Sequence, residues 1–423
     1  MIKKIIVSIC LLFSLASFAQ EGTSSPYSFY GIGDVRFKGS NENNSMGGMS
    51  VIPDSIHLNI SNPAMYSNLK LTTYAIGGTF SVNKLKTSSQ NEKAQRTTLD
   101  YLAIGIPLKK LGIGFGLIPY SSVGYNLKSS STVNSVKTDS YDKGDGGVNK
   151  VFLGFGYQLT KSLSFGADIQ YNFGQINAQN ISILYNSSGL PIQYASKEVN
   201  KSNANGVNFN TGISFHTKIN KELSMFSSVT YSPQAKLNMG NTRSLSLTQS
   251  LTGEDNGNVG DVIDITVSSV KVNLPSKFTF GVGVGDVKKW ILGTEITLQG
   301  TSNFSNRFSD INNVSFENST RLSVGGYYIP NYKSFSNYFS RIVYRGGFRY
   351  ETTGLIINNE SIKDGALTLG IGMPLRGTFS NVNIGAEFGK RGTTNAGLVQ
   401  ENYMNFKVGL SLNDRWFVKR KYD

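Results

Sequence analysis

The sequence predicts an all-β protein: a transmembrane antiparallel β-barrel of about 14 strands with an N-terminal hatch inside the lumen. Three observations predict it. From residue 70 onward the chain repeats segments of eight to twelve residues in which apolar positions alternate with small or polar ones. Charges within those segments fall on the face opposite the apolar one. After Ala19 no stretch approaches the roughly 18 consecutive apolar residues of a membrane helix.

Residues 1–19 read as a secretory signal peptide. Lys3 and Lys4 precede an apolar run from Ile5 to Leu15, and Ser17 and Ala19 take the −3 and −1 positions of a cleavage site. Cys10, the single cysteine of the 423 residues, lies inside that run, so the exported chain is expected to have no disulfide, thiol catalysis or Cys-ligated metal. Removing Lys3 and Lys4 takes the formal charge from +14 to +12. On an exported chain that charge points to the anionic head groups of outer-membrane lipid, not to nucleic acid. Gly, Ser, Asn and Tyr run from end to end with no linker, which favours one large β-domain.

Residues 20–65 are expected to form the hatch. Gly47 and Gly48 permit backbone turns, Pro53 and Pro63 fix φ and remove donors, and Asn62 precedes Pro63 and Ala64 just before the first alternating segment. Such a stretch makes neither a long helix nor an ordinary ladder strand.

The barrel is assigned to residues 66–413. Thr73 to Val82 sets Tyr74, Ile76, Phe80 and Val82 against Ala75, Gly77, Thr79 and Ser81. Thr98 to Pro107 sets Leu102, Ile104 and Ile106 against Tyr101, Ala103 and Gly105, and Leu111 to Tyr125 sets Ile113, Phe115 and Leu117 against three glycines. Eleven further segments centre on Phe155, Ile169, Phe209, Val229, Phe280, Ile296, Val324, Phe348, Leu369, Ile384 and Val408, which brings the total to fourteen. Short connections alternate with long ones, the long ones being Asn126 to Gly147, Gln179 to Ala204, Lys236 to Asp261, Asn303 to Ser319 and Arg391 to Glu401. That alternation suits periplasmic turns and outer loops. Asp168, Glu295, Arg345, Arg349, Glu387 and Lys407 fall on the non-apolar face. A charge facing lipid at mid-depth costs roughly 2–4 kcal/mol, so these six are placed in the lumen. The strict alternation of the third segment breaks at Pro119, Tyr120 and Ser121, where a proline inside a closed wall implies a bulge, a kink or a strand end.

Catalytic chemistry is not indicated. His57 and His216 are the only histidines, no G-x-S-x-G frames a serine, and the acidic clusters at Asp142 to Asp145 and Glu254 to Asn258 lack the spacing of a calcium loop. No enzyme activity, cofactor or metal is expected.

The Gly-rich start, Asn62-Pro63-Ala64 before the first strand, Leu274-Pro275 ahead of the alternating Thr279 to Gly285, and the ending Trp416-Phe417-Val418-Lys419-Arg420-Lys421 together resemble a divergent branch of the FadL family of outer-membrane transporters. The resemblance implies a hatch at Asn62-Pro63-Ala64 and a lateral window at the third-strand kink around Pro119, through which an apolar ligand leaves the lumen. It implies passive transport of hydrophobic small molecules of the long-chain fatty-acid type. The alternative is a non-transporting FadL-like subunit of an outer-membrane machine for secretion or barrel assembly. A protein partner would then dock on the aromatic connection Pro330 to Ser340, with Tyr332, Phe335, Tyr338 and Phe339, or on the basic periplasmic tail of residues 414–423.

Overall fold

A computed structural model describes residues 23–35, 39–133, 136–307, 313–334 and 336–416. The signal peptide, Phe335 and the basic tail beyond Trp416 lie outside the described residues. Fourteen wall strands follow the alternating segments. They are β1 (Thr72–Lys86), β2 (Asn91–Leu108), β3 (Leu111–Val133), β4 (Val136–Gln158), β5 (Leu163–Leu184) and β6 (Ala195–Lys218). Next come β7 (Ser224–Ser232 and Ala235–Thr248), β8 (Val259–Ile265, Val270–Leu274 and Lys277–Asp286), β9 (Trp290–Gln299) and β10 (Ser319–Tyr328). The last are β11 (Val343–Ile357), β12 (Glu360–Pro374), β13 (Asn381–Arg391) and β14 (Gln400–Asp414).

Each strand pairs antiparallel with its neighbours, and β14 returns to β1 from Gln400 opposite Lys86 to Asp414 opposite Thr72, which closes the cylinder. Closure removes the edges that an open sheet of this size would expose. Pro233 and Pro275 interrupt β7 and β8 at one height, because Ser232 pairs with Lys277 and Ala235 with Leu274 on either side of the break. Neither proline can donate to the ladder, and both strands resume beyond it.

Outward positions carry large apolar side chains that remain open to their surroundings, Leu153, Phe209, Leu292 and Val408 being 56, 52, 55 and 51 % exposed. The inward face alternates with them and is small or polar. The wall is uneven in height. The lowest section of β8, β9 and β10 each have 10 residues, close to the roughly 9–11 that a tilted strand needs to span a bilayer. Strands β3 to β6 have 23, 23, 22 and 24 residues. They rise about a dozen residues higher, on the order of 40 Å of strand.

Asn126 to Gly147, expected as a loop, is instead the upper part of the β3–β4 hairpin, paired from Ser121 opposite Val148 to Val133 opposite Val136. Gln179 to Ala204 is likewise mostly β5 and β6. Their Asn, Ser and Lys content looks like a loop, although one face buries Ile181, Ile183 and Ala195 against Tyr141 and Tyr185.

The apolar core lies in the lumen, between hatch and wall. Leu58, Ile60, Tyr66 and Leu69 of the hatch pack on Tyr101, Ala103 and Phe152; Met46, Met49, Val51 and Ile52 pack on Phe226 and Ile291; Ile32 and Phe29 join Val123, Val148, Leu237 and Leu274. Full burial of such a side chain contributes about 1.5–3 kcal/mol. The hatch is therefore a docked element of the core.

Candidate functional site

The hatch meets the wall through two bent segments. Asn62 caps the 3-10 turn Pro63–Asn68, its Oδ1 accepting from Ala64 N at 3.1 Å, and Pro63 enters at the first helical position. That turn lies on glycines of four successive strands: Gly112 and Gly114 of β3 under Tyr66, Gly156 of β4 and Gly166 of β5 under Pro63 and Ala64, and Gly212 of β6 facing Asn62 Oδ1. A methyl group at Gly112 or Gly166 would collide with hatch backbone. Across the lumen the one-turn helix Asn41–Asn44 leads into Gly47 and Gly48, at φ +73° and +86°. A methyl at Gly325 of β10 would stand 2.7 Å from Met46 O, so this turn too needs bare backbone beneath it.

The wall is split beside this plug. β2 pairs with β3 only as far as Leu102 opposite Leu117, and above that level β2 pairs with β1 alone. The register between β3 and β4 slips between Pro119 and Ser121, leaving Tyr120 as the extra residue of a bulge. Pro119 does not end its strand, which continues to Val133. The slot so formed receives the hatch. Asp34 pairs with Ser122 and Val35 with Ser121, the Ser121 hydroxyl donates to Ile32 O at 2.8 Å, and Val35 is 38 % exposed.

Behind the slot lies a charged recess of about 90 Å³, lined by Arg96, Asp100, Arg349, Asp364, Glu387, Arg391 and Lys407 among others. Arg349 is the hub: its Nη2 lies 2.7 Å from Glu387 Oε1 and 3.2 Å from Asp364 Oδ2, and donates to Tyr403 Oη at 2.9 Å. Lys407 Nζ reaches Glu387 Oε2 at 2.6 Å, and Tyr403 donates to Asp364 Oδ1 at 2.6 Å. Arg391 binds Asp34 of the hatch at 2.8 Å.

Of the six charges read onto the inward face, three thus meet in one network: Arg349, Glu387 and Lys407. The other three serve separate places. Asp168 accepts from Gln170 Nε2 at 2.5 Å and Asn210 Nδ2 at 3.0 Å; Glu295 accepts from Ser50 N and Oγ of the hatch at 2.8 and 2.9 Å; Arg345 donates to Asn383 Oδ1 at 2.9 Å. Asp364 was not singled out in the sequence although it shares the inward face of β12 with Ala366 and Thr368. The Asp34–Arg391 pair had no local signal.

A latch forms at the short-turn end. His57 Nδ1 lies 2.7 Å from Asp54 Oδ2, and Nε2 faces Glu42 Oε1 at 3.7 Å and Asn383 Nδ2 at 3.3 Å. Burial works against a charged imidazole, but the Asp54 and Glu42 carboxylates outweigh it and raise the His57 pKa. The histidine ties Asp54 and Glu42 of the hatch to Asn383 of β13 and is a structural element of the hatch. His216 sits in β6, where its N–H donates to Ser162 O at 2.8 Å. In the aromatic connection Tyr332 and Phe339 are 58 and 71 % exposed, and Tyr338 donates to Pro374 O at 3.1 Å.

A model of the BamG family matches residues 1–423. The chain belongs to the BamG family. Among solved structures it is similar to a Pseudomonas aeruginosa FadL homologue at 12 % identity and TM-score 0.59, covering 90 % of this chain and 99 % of that one. It is also similar to the toluene transporters TbuX of Ralstonia pickettii (13 %, 0.57, 88 and 98 %) and TodX of Pseudomonas putida (16 %, 0.55, 90 and 98 %). At such identities the likeness is one of fold: this BamG-family chain is a FadL-like barrel of the outer membrane. A comparison with curated proteins returns no match.

Proposed function

We propose that the protein is a non-transporting, non-catalytic subunit of an outer-membrane barrel-assembly machine, the alternative reading of the sequence. The observation that carries it is the match of the BamG family over the whole chain. The geometry supports it. The slot is filled by Asp34 and Val35, and the recess behind it is charged. An apolar solute using that route would have to desolvate ions at several kcal/mol each, with only Val35, Leu99 and Pro119 as apolar lining in return. The tall wall of β3 to β6 and the exposed aromatics Tyr332 and Phe339 offer the partner surfaces such a subunit needs.

A second reading, passive passage of a hydrophobic molecule with exit near Pro119, has in its favour the bulge in β3 and the likeness to hydrocarbon channels. Purification of the tagged full-length protein in a mild detergent separates the two. The subunit reading expects barrel-assembly components in stoichiometric amount and loss of outer-membrane proteins on depletion. A lone barrel with co-purified lipid, together with normal outer-membrane protein levels on depletion, overturns it.

A further inference from the structure

Hatch and wall enclose a chamber of about 240 Å³ whose two ends differ in chemistry. One end is formed by Tyr30, Phe304 and Leu355. At the other, the ladder registers carry a polar belt from strand to strand: Lys150 faces Asn172, Gln170 faces Asn208, and Ser232, which donates to Asn210 Oδ1 at 3.0 Å, faces Lys277. The carboxamides satisfy one another. Asn172 donates to Asn208 at 2.6 Å, Asn208 to Gln170 at 2.8 Å, and Gln170 to Asp168.

The two lysines are different. Among the described residues neither ammonium has a carboxylate within ion-pair distance or a hydrogen-bond acceptor, and the neighbour of Lys150 is the face of the Tyr120 ring at 4.1 Å. Both side chains are half-buried. The nearby carboxylates are engaged elsewhere: Asp168 by Gln170 and Asn210, Glu295 by Ser50, Asp34 by Arg391, Asp364 by Arg349, while Glu351 stands opposite Arg321 in the β10–β11 ladder. Asp168, Glu295 and Glu351 act on the two amines only from beyond contact distance, and partly desolvated amines with no carboxylate in contact gain from an anion placed between them.

We propose that the chamber binds an oxyanion, a carboxylate or a phosphate, between Lys150 and Lys277, with the aromatic end accepting a short apolar substituent. The volume of about 240 Å³ is below the roughly 300–1,000 Å³ of common ligand pockets and suits a small ligand. Because Ser50, Ile60 and Ser61 of the hatch also line the chamber, the ligand touches plug and wall together and acts as a resident of the fold. This inference stands independently of the machine-subunit reading.

The test is calorimetric titration of the full-length protein in dodecyl maltoside with octanoate, inorganic phosphate and, as a neutral control, octanol. The wild type should bind an anion at least tenfold more tightly than octanol. Lys150→Gln/Lys277→Gln should lose at least tenfold, and exposed Lys271→Gln should lose nothing. Octanoate binding above phosphate assigns a head group with its chain; phosphate binding alone assigns a free anion and supports the oxyanion site without the apolar end. The single variants are titrated alongside, so that one folded, heat-modifiable variant suffices. No anion binding by the wild type, or undiminished binding by a folded variant of either lysine, overturns the proposal.

Discussion

Val35 of the hatch stands opposite Ser121 of β3, so the barrel wall contains a residue that belongs to the plug. Facing residues of an antiparallel pair have Cα atoms about 4.5–5.5 Å apart, within the reach of a disulfide. Val35→Cys/Ser121→Cys should therefore oxidise spontaneously and lock the hatch in the slot, Cys10 being the single native cysteine. Under the machine-subunit reading the locked protein still supports outer-membrane protein levels. Rescue of a depleted strain by the oxidised form, set against failure of rescue, checks this.

Arg349 is 1 % exposed and is shared by Glu387 and Asp364. Removing one partner of a buried ion pair costs about 3–5 kcal/mol, because the other charge is left uncompensated. Arg349→Met should lower stability by that order, read as a fall in the temperature at which the compact electrophoretic form is lost. An unchanged transition would mean that Lys407 and solvent neutralise the two carboxylates unaided.

The latch makes stability depend on pH. The groups facing His57 are Asp54 and Glu42 of the hatch, Arg345 of β11 and the neutral Asn383 of β13. Since the folded-state pKa is raised, the stability contributed by the charged form is fully present below about pH 6.5 and is lost as pH rises through the folded value. Thermal unfolding of the wild type should fall across that rise more steeply than that of His57→Gln. Parallel curves would remove His57 from the latch.

Gly112→Ala should expel the Tyr66 turn, whose backbone occupies the space that the methyl group would need. Overpacking of a tight contact costs about 1–3 kcal/mol. Planar-bilayer recordings should show ion conductance approaching that of a variant lacking residues 21–65. Gly346→Ala, where the methyl meets nothing nearer than 3.9 Å, should remain closed. Equal traces from the two alanine variants would separate the glycine floor from the seating of the hatch.

Much of this architecture is legible in the chain. Fourteen segments are countable because lipid outside and a wet lumen inside impose period two on every strand. Pro119 announces its bulge by breaking that period. The heights of β3 to β6 are not legible, because above the membrane polar residues crowd both faces and the apolar positions buried there, Ile181, Ile183 and Ala195, are too few to mark a strand. Nor are the contacts of the hatch. Asp34 and Arg391 are 357 residues apart in sequence and meet only through closure, and the unpaired state of Lys150 and Lys277 depends on what every neighbouring carboxylate already binds.

The glycine floors also dictate an order of events. Gly409 lies on β14, Gly112 on β3, and the hatch that rests on both precedes β1 in the chain, so the cylinder closes around a segment that it contacts on both sides of the β14–β1 seam. Were the β14–β1 ladder complete first, Asn41 and Tyr66 would have to slide past backbone that leaves no room for a methyl group. The hatch is therefore seated before that seam zips, and in the finished protein it leaves only by unzipping strands: what looks like a cork is closer to a keystone.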